Sequence, residues 1–167
     1  MCGITGILNF ERQKEISLPE IKKMTDVISH RGPDEEGFYI NQNIGLGFRR
    51  LSVIDLKTGH QPISNEDETV WIVFNGEIYN YLDLREGLTN QGHVFKTKSD
   101  TETIVHLYEQ YGTQCVQFLR GMFAFCSWDD KKKQLFCARD RFGIKPFYYY
   151  VDKEKMVFSS EIKGILR

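Results

Sequence analysis

A chain of 167 residues is about one domain's worth and can bury a core without disulfides or a metal holding it together. With 41% hydrophobic, 13% aromatic and 27% charged residues, it is neither disordered nor fibrous. Lys plus Arg total 22 against 23 Asp plus Glu, a net charge of −1, which gives no electrostatic footprint for nucleic acid or an anionic membrane.

In chain order, the first apolar patch predicts a strand over 4–9. Asn9, Glu11 and Arg12 end it far too soon for a secretory leader, and no run approaches the 18 apolar residues of a spanning helix. Ser17-Leu18-Pro19-Glu20 is a capping-box pattern with an early proline. It opens a helix with Leu18, Ile21, Met24 and Ile28 on one face, stopped by Gly32-Pro33. Strands follow over 37–40, 44–48 and 70–74. Asn80 starts a second helix with Tyr81, Leu84 and Leu88 inward and Gly92 beyond its end. Ser99-Asp100-Thr101-Glu102 starts a third, carrying Ile104, Leu107, Tyr108 and Tyr111, and Gly112 stops it. Strands over 122–128, 134–138, 147–151 and 156–159 form two antiparallel hairpins joined through residues 140–146. Strands before, between and after helices predict two sheets with helices on their outer faces, an α+β layered sandwich in one domain.

Four cysteines are too few for a disulfide scaffold and suit a reducing cytoplasm. Cys2, Cys115, Cys126 and Cys137 lack C-x-x-C spacing and an H-x₃₋₅-H partner run, so no metal site is expected. His30, His60, His93 and His106 have no serine or cysteine partner at a known local spacing and are assigned to structure or surface.

Cys2 becomes residue one once the initiator methionine is removed, and then carries a thiol beside a free α-amine. That amine has a pKa of about 7.7–8.0 and suits a general base, so such a nucleophile can activate itself. Read alone, Cys2 is more simply an ordinary buried thiol. Asn75-Gly76 has two readings of equal weight: a tight hairpin turn, or an oxyanion hole made by the Asn75 amide and the Gly76 N–H. Arg50 offers a bidentate grip on a carboxylate, although a surface ion pair is the simpler account. Asp100 could bind an ammonium group, yet Ser99-Asp100 is also an ordinary helix start.

Taken in order, these segments resemble the glutaminase domain of class II glutamine amidotransferases, of the asparagine synthetase B type. The resemblance is carried by Met1-Cys2-Gly3-Ile4, His30-Arg31-Gly32-Pro33-Asp34, Arg50-Leu51-Ser52-Val53-Ile54-Asp55, Gln61-Pro62 and Phe74-Asn75-Gly76-Glu77-Ile78-Tyr79-Asn80. Ser99-Asp100-Thr101-Glu102, Gly121-Met122-Phe123-Ala124-Phe125, Ala138-Arg139-Asp140-Arg141-Phe142-Gly143 and Ser159-Ser160-Glu161-Ile162-Lys163 complete it. Each piece is weak, while the ordered set is specific and covers essentially the whole chain. Domains of the glucosamine-phosphate synthase and amidophosphoribosyltransferase types usually carry a Trp-Ala-Thr-His-Gly-like run after the arginine, where this chain has Leu51-Ser52-Val53-Ile54-Asp55. The nucleophilic cysteine lost in related β-lactam-forming enzymes is present as Cys2.

The resemblance implies an N-terminal-nucleophile hydrolase fold, a four-layer αββα sandwich. It implies that Cys2 attacks the side-chain amide of L-glutamine while Asn75 and Gly76 hold the oxyanion. Arg50 and the backbone of Leu51, Ser52, Val53 and Ile54 would take the α-carboxylate, and Glu77 and Asp100 the α-amino end. It implies no cofactor in this domain, since ATP and magnesium belong to a synthetase domain working in cis or in trans, and a homodimer is compatible with the full-length enzyme. Enzymes of this type carry a Ser-Gly-Gly-x-Asp-Ser loop in that second domain, and no such run occurs here. Residues 161–167 resemble a helix cut short, so the chain is expected to be the N-terminal part of a larger enzyme. An amidotransferase domain for another acceptor, such as a sugar or cell-wall carboxylate, and a non-catalytic docking domain of the same fold are the alternatives.

Overall fold

Period-two alternation decides which way each strand of this protein faces. The computed structural model describes residues 1–51 and 59–167. In β1 (Gly3–Asn9), Ile4 and Leu8 face one way and Ile7 the other. β2 (Glu35–Asn41) and β3 (Ile44–Arg50) follow the first helix, α1 (Leu18–Asp26). Next come β4 (Ile63–Ser64), β5 (Val70–Ile78), α2 (Tyr81–Asn90) and α3 (Asp100–Tyr111). Two hairpins close the order: β6 (Gly121–Asp129) with β7 (Gln134–Arg139), and β8 (Tyr148–Val151) with β9 (Lys155–Ser159), before a last turn of helix, α4 (Ile162–Ile165).

The strands form two antiparallel sheets, ordered β2-β3-β1-β9-β8 and β4-β5-β6-β7. Three apolar clusters fill the three spaces of an α-β-β-α stack. Between the sheets lie Ile4, Leu46, Phe48, Val73, Ala124, Trp128 and Phe158. Outside the first sheet, Ile7 and Val157 meet Ile21 and Met24 of α1. Outside the second, Ile72, Phe74, Phe123 and Phe125 meet Leu88 of α2 and Ile104 and Tyr108 of α3. Each fully buried side chain of this size contributes about 1.5–3 kcal/mol by leaving water. Gly6 is required by packing, since a Cβ there would stand 2.3 Å from the Phe158 ring.

The helices start as their capping residues predict. Ser17 donates its N–H (2.8 Å) and its hydroxyl (2.7 Å) to the Glu20 carboxylate, and the Ser99 hydroxyl accepts from Thr101 N–H at 3.2 Å. Two expectations fail. Leu18 is not on the buried face of α1, because at the first turn it sits outside the contact with the sheet and is 48% exposed. β4 was not anticipated, since two residues carry no periodicity to read. The two predicted C-terminal hairpins belong to different sheets, so residues 140–146 cross between layers. The Asp140 carboxylate holds that crossing by accepting from the backbone N–H of Phe123, Phe142, Ile144 and Lys145 at 2.9–3.2 Å. Burial pushes the Asp140 carboxyl up, but these N–H groups win and hold it below its usual value.

Candidate active site

The alternation that builds the inter-sheet core also builds the site at its open end. Cys2 has the parity of Ile4 and Leu8, Arg50 that of Leu46 and Phe48, Asn75 that of Val73, and Met122 that of Ala124. All four line one cleft of about 200 Å³, with Leu51, Gln61, Gly76, Glu77, Asp100 and Lys145. That is below the roughly 300–1,000 Å³ of pockets for drug-sized ligands, a scale suited to a free amino acid. Five expected site residues besides Cys2 therefore meet there: Arg50, Asn75, Gly76, Glu77 and Asp100. Leu51 also meets them, while Ser52, Val53 and Ile54 lie outside the described residues.

Cys2 is held at both ends. Leu51 N–H donates to its Sγ at 3.4 Å, and the thiol faces Leu51 O at 3.6 Å. Its carbonyl accepts from Arg31 Nε at 3.0 Å, and Arg31 pairs with Glu161 at 3.3 Å. Burial pushes the Cys2 thiol up, against the Leu51 N–H and the positive charges of the N-terminus, Arg50 and Lys145. In this state it is a thiol in need of a base.

Asn75-Gly76 is not a turn. It lies inside β5, opposite Ala124 and Phe123 of β6, because the alternation of Val70 to Phe74 continues through it. Gly76 is needed for close approach: a Cβ would meet Met122 O at 2.3 Å and Phe123 Cα at 2.7 Å. Asn75 is 1% exposed, yet its Nδ2 has no hydrogen-bond partner among the described residues. A buried amide donor without an acceptor costs about 1–3 kcal/mol, so its persistence in a cleft marks a place for an anionic or carbonyl oxygen.

Charge is arranged around the cleft. Arg50, 4% exposed, pairs with Glu35 at 3.0 Å, and Glu35 also holds His60 at 2.7 Å. Burial raises Glu35, but Arg50 and His60 hold it below the usual carboxylate value. The adjacent Arg49 has the opposite parity and faces α1, pairing with Asp26 and Glu36. Asp100 accepts from Ile78 N–H at 3.0 Å at the N-terminus of α3. Burial pushes its carboxyl up and Glu77 adds to this, against the N–H groups of Ile78 and Thr101. Three contributors were not anticipated. Buried Lys145 faces Met1 Sδ at 3.7 Å, Gln61 accepts from Phe74 N–H at 2.7 Å and donates toward Thr101 at 3.3 Å, and Arg31 with Glu161 holds the strand that carries Cys2. The last pair was signalled by the quoted motifs; Lys145 had no local signal.

A family model described as a glutamine amidotransferase domain matches residues 1–167. The chain belongs to this family. The amidotransferase domain is similar to asparagine synthetase (glutamine-hydrolyzing) 1 of Bacillus subtilis (strain 168), with 47% identity over 99% of the chain and 27% of that relative. It is 48% identical to a putative asparagine synthetase (glutamine-hydrolyzing) 2 of Methanocaldococcus jannaschii, over 99% of the chain and 35% of that relative. The chain thus spans about a quarter to a third of the length of these relatives. A solved structure described as the allosteric regulatory enzyme of purine biosynthesis shares the fold at a TM-score of 0.80 and 20% identity, covering 98% of this chain and 43% of that one. The amidotransferase domain thus has the four-layer αββα sandwich fold expected from the sequence. No helix among the described residues is long and apolar enough to cross a membrane.

Proposed function

We propose that this chain hydrolyses the side-chain amide of L-glutamine to glutamate and ammonia. The observation that carries the reading is the buried, unpartnered Asn75 Nδ2 in the cleft that Cys2 enters. With Met1 removed, the Cys2 α-amine takes the thiol proton as Sγ attacks the amide carbon. The oxygen becomes an oxyanion between Asn75 Nδ2 and the Gly76 N–H. Its collapse expels ammonia, with the proton returned by the α-amine, and leaves a γ-glutamyl thioester. Water, deprotonated by the same amine, cleaves the thioester to glutamate and restores the thiol. Arg50 and the Leu51 backbone receive the α-carboxylate, and Asp100 and Glu77 the α-ammonium. A site with a charge for each end of a free amino acid rejects analogues lacking either, because its own buried charge would go unpaired. Met1 itself lines the cleft, so its removal both frees the base and opens the site.

Two relatives are named glutamine-hydrolyzing asparagine synthetases. This supports ammonia being passed to a synthetase domain that makes asparagine from aspartate with ATP. Four free thiols support a reducing, cytoplasmic setting. The test is intact mass of the purified chain before and after diazo-oxo-norleucine, beside glutamate release. Loss of one methionine, a single adduct at Cys2 and no turnover by Cys2→Ala are expected. A Cys2→Ala variant with full glutaminase activity would falsify the mechanism.

A further inference from the structure

Away from the cleft, on the outer side of the second sheet, two histidines and two glutamates converge. Glu66 comes from the turn between β4 and β5, His93 from the segment after α2, and His106 and Glu109 from adjacent turns of α3. One ligand atom from each lies within 4.8 Å of the other three. His106 Nδ1 stands 2.8 Å from Glu109 Oε2 and 3.6 Å from Glu66 Oε2, and His93 Nδ1 is 3.7 Å from Glu109 Oε2. Ligands on a tetrahedral zinc ion with bonds of about 2.0–2.1 Å are separated by roughly 3.3 Å. The separations of 2.8, 3.6 and 3.7 Å bracket that value.

The far atom of every one of these groups faces a second residue. Glu66 Oε1 accepts from Val94 N–H at 2.8 Å, which aims Oε2 inward. Glu109 Oε1 accepts from Asn65 Nδ2 at 2.7 Å. His93 Nε2 faces Gln110 Oε1 at 3.4 Å. His106 is 1% exposed, and its Nε2 has no hydrogen-bond partner but faces buried Glu102 Oε1 at 3.7 Å. A carboxylate behind the outer nitrogen of a ligating histidine is the usual support of a metal-bound imidazole. Glu102 in turn accepts from the backbone N–H of Lys96 and Thr97, both at 2.7 Å, so the carboxylate behind His106 is itself held. Glu66 and Glu109 remain partly exposed, which gives an ion a route in.

We propose that Glu66, His93, His106 and Glu109 form a structural binding site for a divalent transition metal, zinc in the first instance. Two imidazoles and two carboxylates suit zinc better than magnesium or calcium, which prefer all-oxygen sites. The ion clamps the β4–β5 turn and the segment after α2 onto α3, and it is separate from the glutamine chemistry. The test uses the full chain carrying Cys2→Ser, so that the cleft thiol takes no metal, stripped with a chelator and dialysed against zinc chloride. One equivalent bound and a raised Tm are expected. Cobalt in place of zinc should give tetrahedral visible absorption without a thiolate band. Glu66→Gln at the exposed rim and His93→Gln, half-buried and checked for folding by circular dichroism, should each weaken zinc binding at least tenfold. Failure to bind a stoichiometric ion, or binding that both variants leave unchanged, would overturn the assignment.

Discussion

Asn75→Ala separates catalysis from stability more sharply than any other single change here. The side chain is 1% exposed and its Nδ2 donor is unpaired. The wild-type fold therefore carries a desolvation cost of about 1–3 kcal/mol at this atom. Truncation removes that cost while giving up a little packing against the inter-sheet core. The two effects oppose each other, and the net change in unfolding free energy should stay within about 1 kcal/mol of zero. The reaction is affected quite differently. Loss of one oxyanion donor typically costs about 10²–10³ in kcat, or roughly 2.7–4 kcal/mol. KM should move little, because the donor meets developing charge rather than either end of the amino acid. Glutamate release coupled to a dehydrogenase gives the kinetic constants, and denaturant unfolding gives the stability. A kcat within tenfold of wild type, or a loss above about 2 kcal/mol in stability, would refute the assignment. Either result would mean that Asn75 is a structural amide.

Three further outcomes test other parts of the structure. Gly6→Ala should cost about 1–3 kcal/mol, because its Cβ would overlap the Phe158 ring at 2.3 Å; Phe158→Leu in the same chain should recover part of that loss in a double-mutant cycle. Asp140→Ala should destabilise by about 3 kcal/mol, since four backbone N–H groups lose a charged acceptor. The folded pKa of Asp140 lies below its unfolded value of 3.8, so its contribution is complete above that pH and is lost as pH falls through the folded value. Wild-type and variant stabilities should accordingly converge in acid, and a pH-independent difference would contradict this account. Asp100 has the opposite sign. Its carboxyl is raised by burial, so it protonates earlier on acidification than an exposed aspartate. KM for glutamine should then rise as pH falls, beginning at a higher pH than an exposed aspartate would give, and Asp100→Asn should abolish that pH dependence.

Much of this architecture was legible because strands announce themselves by alternation and helices by their caps. Ser17, Asn80 and Ser99 each mark a helix start, and eight of the nine strands among the described residues carry enough β-branched or aromatic residues to be seen. At Asn75-Gly76 a local turn signal competed with a longer pattern. The pattern won because Gly76 lets β6 approach closely and Asn75 holds the inward parity of Val73. Lys145 was invisible for a different reason. It reaches the cleft only because residues 140–146 cross from one sheet to the other, and no spacing near Lys145 encodes that crossing. The partnership of Glu66 with His106 is likewise a product of packing, since only the His106–Glu109 step falls on a helical period.

The placement of β1 has a consequence for biosynthesis. β1, which follows directly on Cys2, is synthesised well before β9, yet it is central in its sheet, between β3 and β9. Gly6 pairs with Phe158, and at roughly 5–20 residues per second the ~150 intervening residues take about 8–30 s to synthesise. For that interval the strand lacks its last neighbour, and the Arg31–Glu161 bracket behind Cys2 cannot close. The segment around Cys2 is thus accessible on the nascent chain long before the cleft is complete. A chain that stalls short of β9 leaves an unpaired edge inside the first sheet and an incomplete cleft, so premature termination yields an aggregation hazard.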